Sequence, residues 1–212
     1  MHPRTRIAGI AALMAAALLL QDRPSAYSTS GSKWATSPVP YRVNAANMDL
    51  PAAQADAAMR IGADSWALQS GASIAFQHAG ASTQTTTGFD NLNLVVFRDA
   101  SSGSAIATTY WWSSGGRILD ADIVFWDGEF KFFAGTTGCS GGFYIEDIAA
   151  HEFGHALGLG HSTVVGTTMY PSTSSCNTAN RTLHDDDIAG VRSLYPPATL
   201  PLAPTGLRFV GQ

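Results

Sequence analysis

The residues best suited to chemistry lie together in the run Ala150-His151-Glu152-Phe153-Gly154-His155-Ala156-Leu157-Gly158-Leu159-Gly160-His161-Ser162. On a helix, His151 and His155 are four positions apart, so they project from one face, one turn above the other. Two imidazoles so placed can both reach one zinc ion at about 2.0–2.1 Å. A third ligand would need a further helical turn, or a break that brings the chain back. Gly158 supplies the break, because glycine readily takes positive φ, and Gly160 adds freedom. His161 then arrives from outside the helix and completes a three-ligand site with one open position. A closed structural site would want a fourth protein ligand. Three neutral ligands leave the metal its charge, and a water in the open position becomes more acidic. Glu152 follows the first ligand and points about 100° away around the helix. It lies beside that water as a general base without ligating the metal.

These residues need a frame. Val39 to Asn44, Ser73 to His78, Leu92 to Phe97, Ala105 to Trp112 and Arg117 to Trp126 read as strands of one sheet, separated by Gly/Ser/Thr-rich turns. Asp49-Leu50-Pro51 opens a helix that runs to Gln69, with Met59, Trp66 and Leu68 toward one side. A second helix, Tyr144 to Leu157, carries the histidines. A third, Asp186 to Tyr195, begins on acidic residues and stops at Pro196-Pro197. Residues 27–37 are Ser/Thr/Gly-rich and read as loose.

The chain has 212 residues, 45% of them apolar and 13% charged, enough for a sizeable core. The formal net charge is -4, so no basic stripe is available for nucleic acid. Arg4 and Arg6 precede an apolar run, Ile7 to Leu20, and then Pro24-Ser25-Ala26-Tyr27-Ser28. That is the layout of a secretory signal peptide, read here as residues 1–28, and the run is too short to span a bilayer. The expectation is an exported monomer with no membrane segment after cleavage. Its two cysteines, Cys139 and Cys176, are then expected to form one disulfide around the histidine helix. Residues 197–212 read as a Pro-rich tail, in which Ala203 to Val210 resembles the opening strand of a fibronectin type III module.

H-E-x-x-H-x-x-G-x-x-H followed by a methionine turn resembles the metzincin zinc peptidases. The turn candidate is Thr167-Thr168-Met169-Tyr170-Pro171, and Ser162 after the third histidine is similar to the matrixin branch. Ile118-Leu119-Asp120-Ala121-Asp122-Ile123 resembles the strand before the active-site helix of matrixins. Leu183-His184-Asp185-Asp186-Asp187-Ile188-Ala189-Gly190-Val191 resembles their closing helix. The likeness is to a secreted member of bacterial type and spans about residues 33–196, within a domain read as 29–196.

The resemblance implies an α+β fold of α/β-sandwich type, with a twisted five-stranded, mostly parallel sheet, an antiparallel edge strand and three helices. It implies one catalytic zinc on His151, His155 and His161, with Glu152 as base. Protein or peptide substrates would lie along Ala105 to Tyr110. Met169 would form an apolar floor, and Tyr170 and Pro171 a pocket wall. Ser104 to Trp126 contains no histidine, so the second zinc of animal matrixins is not expected. Asp120, Asp122 and Asp127 have the oxygen ligands that calcium takes, the plainer alternative being ordinary polar positions. No cysteine precedes Cys139, so a cysteine switch is not expected. His78 and His184 read as surface or structural residues, and one of Trp111 and Trp112 as facing the core. The competing functions are a catalytically silent binding module and a zinc hydrolase of non-peptide amides.

Overall fold

The computed structural model describes residues 26–198. The predicted signal peptide and the Pro-rich tail lie almost wholly outside them. Arg117–Trp126 forms β5, buried at every position from Asp120 on. A strand covered on both faces reads as a continuous apolar run, which Ile123 to Trp126 is. β1 (Val39–Asn44), β2 (Phe76–Ala81), β3 (Leu94–Arg98) and β4 (Ala107–Ser114) complete a five-stranded sheet of order β2-β1-β3-β5-β4. β4 pairs antiparallel with β5, and all other pairs are parallel. β4 is therefore an edge strand, and among the described residues nothing pairs with its outer side. The two-residue turn Gly115-Gly116, with φ of 58° and 75°, closes the β4–β5 hairpin in the conformation that suits sheet twist.

Three helices join the sheet: α1 (Ala52–Ser70), α2 (Ile145–Ala156) and α3 (Asp185–Leu194). This is the predicted α+β class. α1 and α2 approach closely at Gly62, where a Cβ would collide with Ala149, and Trp66 Nε1 donates to the Ala150 carbonyl at 2.8 Å. Phe153 on α2 packs against Tyr41 and Phe76 of the sheet at 4.9 and 4.7 Å between ring centroids. α2 is thus held by its apolar face, leaving the histidine face toward β4.

Several expectations shift. Leu68 is 82% exposed, while Met59 and Trp66 are buried, because positions 66 and 68 lie on opposite sides of a helix. A short ladder, β6 (Phe132–Phe133) with β7 (Phe143–Tyr144), escaped the sequence reading. Cys139 and Cys176 are disulfide-bonded and tie the loop before α2 to the loop after Pro171. At a sequence separation of 37, chain entropy gives this link about 3–4 kcal/mol. Neither Trp111 nor Trp112 faces the core. Trp111 is 38% exposed, and Trp112 stacks on Phe89 at 6.4 Å.

Candidate metal centre and cleft

His151 and His155 project from the last two turns of α2, which ends at Ala156. Two side chains take up its final carbonyls: Trp34 Nε1 donates to Ala156 O, and the Tyr195 hydroxyl to Leu157 O, each at 2.8 Å. Gly158 then adopts φ of 97°, and a Cβ there would strike the Ser32 carbonyl. The chain reverses, and His161 returns to the other two.

The reversal is strapped from outside by a segment that begins at Ser28, the last residue of the predicted signal. Ser30 N donates to Gly158 O at 2.8 Å, Gly160 N to Ser28 O at 2.9 Å, and Ser28 Oγ to His161 O at 2.8 Å. The reading of residues 27–37 as loose is therefore corrected for residues 28–33. Their small polar composition gave no periodicity, yet their backbone pairs with Leu159 and Arg117.

The three imidazoles converge. His155 Nε2 lies 3.1 Å from His151 Nε2 and 3.2 Å from His161 Nε2. One ligand atom from each lies within 4.8 Å of the others, and among the described residues this is the only such group of three. His151 Nδ1 is 2.7 Å from the Thr168 carbonyl and His155 Nδ1 is 2.8 Å from the Leu159 carbonyl. Carbonyls only accept, so both Nδ1 atoms carry the proton and both Nε2 atoms present lone pairs. Burial pushes His151 and His155 down to about 4, and for His155 the neighbouring His151 adds to this. Neutral imidazoles with facing lone pairs about 3 Å apart repel unless a cation lies among them. The donor set and geometry fit a zinc ion.

Glu152 is 5% exposed, and burial raises its pKa. Its Oε2 accepts from the Thr109 hydroxyl on β4 at 2.6 Å. Thr109 drew no attention in the sequence, because only the pairing of β4 over α2 brings it there.

Met169 is 1% exposed beneath α2, and a Cβ at Gly154 would collide with its sulfur. Its turn is held by Asp187 on α3, whose Oδ2 accepts from Thr168 N at 2.8 Å and Oδ1 from Met169 N at 3.0 Å. Asp186 accepts from the Ser162 hydroxyl at 2.7 Å. The acidic start of α3 thus serves the site as well as the helix. His184 caps α3, and His78 pairs with Asp56 at 2.9 Å.

Beside the histidines is a cavity of about 570 Å³, lined by Ala105 to Thr109, Ile148, Phe130, Tyr170 and Pro171. Arg181 pairs with Asp147 and donates to Gly135 O at 3.0 Å, so it fixes the loop beyond Pro171.

Asp120 and Asp122 lie apart from this centre. Asp120 Oδ2 accepts from Asp90 N and Asn91 N, and Asp122 from Gly88 N and Leu94 N. Asp127 Oδ2 accepts from Met48 N. Both oxygens of Asp122 accept from backbone donors, and burial raises its pKa to about 6, whereas Oδ1 of Asp120 and Oδ1 of Asp127 are buried with no hydrogen-bond partner among the described residues.

Comparison with known proteins agrees with the geometry. The matrixin family profile matches residues 33–196. The chain is 43% identical over 70 residues to neutrophil collagenase of Homo sapiens, covering 33% of this chain and 15% of that one. It is 42% identical over 96 residues to matrix metalloproteinase-20 of Homo sapiens, covering 42% and 19%. It is 52% identical over 60 residues to hatching enzyme of Paracentrotus lividus, covering 28% and 10%. The matched stretch is less than a fifth of the length of each of these relatives.

Proposed function

Because the chain belongs to the matrixin family, we propose that it is a secreted zinc-dependent endopeptidase, working as a monomer through the domain 29–196. The observation that carries this reading is the convergence of His151, His155 and His161 within 4.8 Å, beside the buried carboxylate of Glu152. Zinc held by the three imidazoles would polarise the scissile carbonyl and acidify a water.

The remaining work falls to the chain's own residues. Glu152 takes the water's proton and later gives it to the leaving amine. Burial supports both steps, since a raised pKa makes its carboxyl a better base and lets it hold the proton between them. The free outer side of β4 receives the substrate backbone as an added strand. The cavity beside Tyr170 and Pro171 receives one substrate side chain, and Met169 supports the histidines from below.

Secretion rests on the charged start and apolar run of residues 1–28. Among the described residues no helix is long and apolar enough to cross a membrane. Calcium at Asp120 and Asp122 stays a proposal, supported by Oδ1 of Asp120, which is buried with no hydrogen-bond partner among the described residues, while both oxygens of Asp122 accept from backbone.

The test is digestion of casein and of a broad peptide set. The protein loaded with zinc cuts them, a chelator stops it, and zinc restores it. A zinc-loaded protein that leaves the whole set intact overturns the reading in favour of a silent binding module. Cleavage confined to non-peptide amides favours the other zinc hydrolase.

A further inference from the structure

The geometry points to Thr109 as the positioning residue that aims Glu152, an inference that rests on the reading of Glu152 as the base. Thr109 Oγ1 lies 2.6 Å from Glu152 Oε2 and 3.1 Å from the Glu152 backbone carbonyl. A hydroxyl has one proton, and an ionised carboxylate only accepts, so the shorter contact is a charge-assisted bond from Thr109 to Oε2. Among the described residues no other group donates to this carboxylate. One carboxylate oxygen is therefore fixed, and Oε1 is left free to take a proton.

The mount is rigid. Thr109 is paired with Ile123 in the β4–β5 ladder, and its branched side chain is stiff at χ1. Its neighbour Thr108 is committed elsewhere, accepting from Trp126 Nε1 at 2.9 Å. The strand that would receive the substrate backbone is thus the strand that holds the base. A peptide added along β4 is placed relative to Glu152 by one continuous piece of backbone. When Glu152 carries the proton on Oε1, Oε2 still accepts from Thr109, and the backbone carbonyl offers the hydroxyl a second acceptor. The side chain stays in place through the whole proton cycle.

The test compares wild type with Thr109→Val, which keeps the shape and removes the hydroxyl, and Thr109→Ser, which keeps the hydroxyl. Thr109→Ala stands in for valine if thermal unfolding shows that valine disturbs the fold. On one fluorogenic peptide, with zinc loaded, valine is expected to lower kcat about tenfold, the loss expected for one hydrogen bond to a charged group. KM and zinc content stay as in wild type, and serine recovers most of kcat. A second readout needs no activity: the carbon-13 carboxyl resonance of Glu152 in metal-free protein at neutral pH. It moves in the valine variant and returns in the serine variant. An unmoved resonance, or a valine kcat within twofold of wild type, overturns the assignment. So does an equal loss in serine and valine. If zinc-loaded wild type cuts nothing, the proposed activity fails, and the resonance alone decides whether Thr109 holds Glu152.

Discussion

The carbonyl oxygen of Thr168 stands 2.7 Å from Nδ1 of His151, so the methionine turn orients the first histidine of the triad through a backbone bond. Met169 follows immediately, buried beneath the same helix. The turn acts on the site by packing and by this bond together. Asp187 holds the turn, so a residue on the last helix governs the placing of His151 on the one before it.

Asp187→Ala should therefore weaken both the fold and the metal site. It strips acceptors from three backbone donors, those of Thr168, Met169 and His184. Leaving a buried donor unpaired costs about 1–3 kcal/mol, and Thr168 and Met169 are the two buried residues among the three, so a loss of about 2–6 kcal/mol is expected in urea unfolding. Zinc content after gel filtration should fall in the same variant. A stability within about 0.5 kcal/mol of wild type, the range of neutral surface changes, would remove Asp187 from this role.

The strap makes a second expectation. Ser28 and Ser30 bind the backbone on both sides of Leu159, at Gly158 and Gly160, and Ser28 also binds His161. In protein that begins at Ala26, deleting residues 28–31 should loosen His161 while leaving His151 and His155 on their helix. Zinc affinity, measured by competition with a chelating dye, is expected to fall about tenfold or more. An unchanged affinity would show that the Gly158 reversal holds His161 by itself.

Much of this centre was legible in the run from His151 to His161, because helical spacing and a glycine break are local properties. β1 and β5 were legible for the same reason, and their observed ends are the predicted ones. What failed is non-local. Ser73 reads as the start of a strand, but its N–H goes to Tyr195 O, so β2 begins only at Phe76. The strap has no pattern of its own and is ordered by what it touches. Thr109 and Asp187 become site residues only because β4 and α3 pack against α2 and the turn. Nor does any local signal show that backbone N–H groups of residues 88–94 donate to Asp120 Oδ2 and to both oxygens of Asp122.

Metal retention should persist into acid. An imidazole must be neutral to bind, and protons compete only near its own pKa. His151 and His155 lie at about 4 instead of the ordinary 6.5. For groups with depressed pKa, the stabilising contribution is present above 6.5 and is lost as pH falls through about 4. Zinc should thus survive dialysis at about pH 5.5 and be lost near pH 4. Half-loss already at about pH 6.5 would contradict the burial argument.

The most direct measurement sets zinc-loaded wild type beside Glu152→Ala on casein, with zinc content determined in both. The account predicts equal zinc, cleavage by wild type, and a loss of about 10²–10⁴-fold in the variant, the usual contribution of a general base. Equal cleavage by the two proteins, each carrying its zinc, would contradict it.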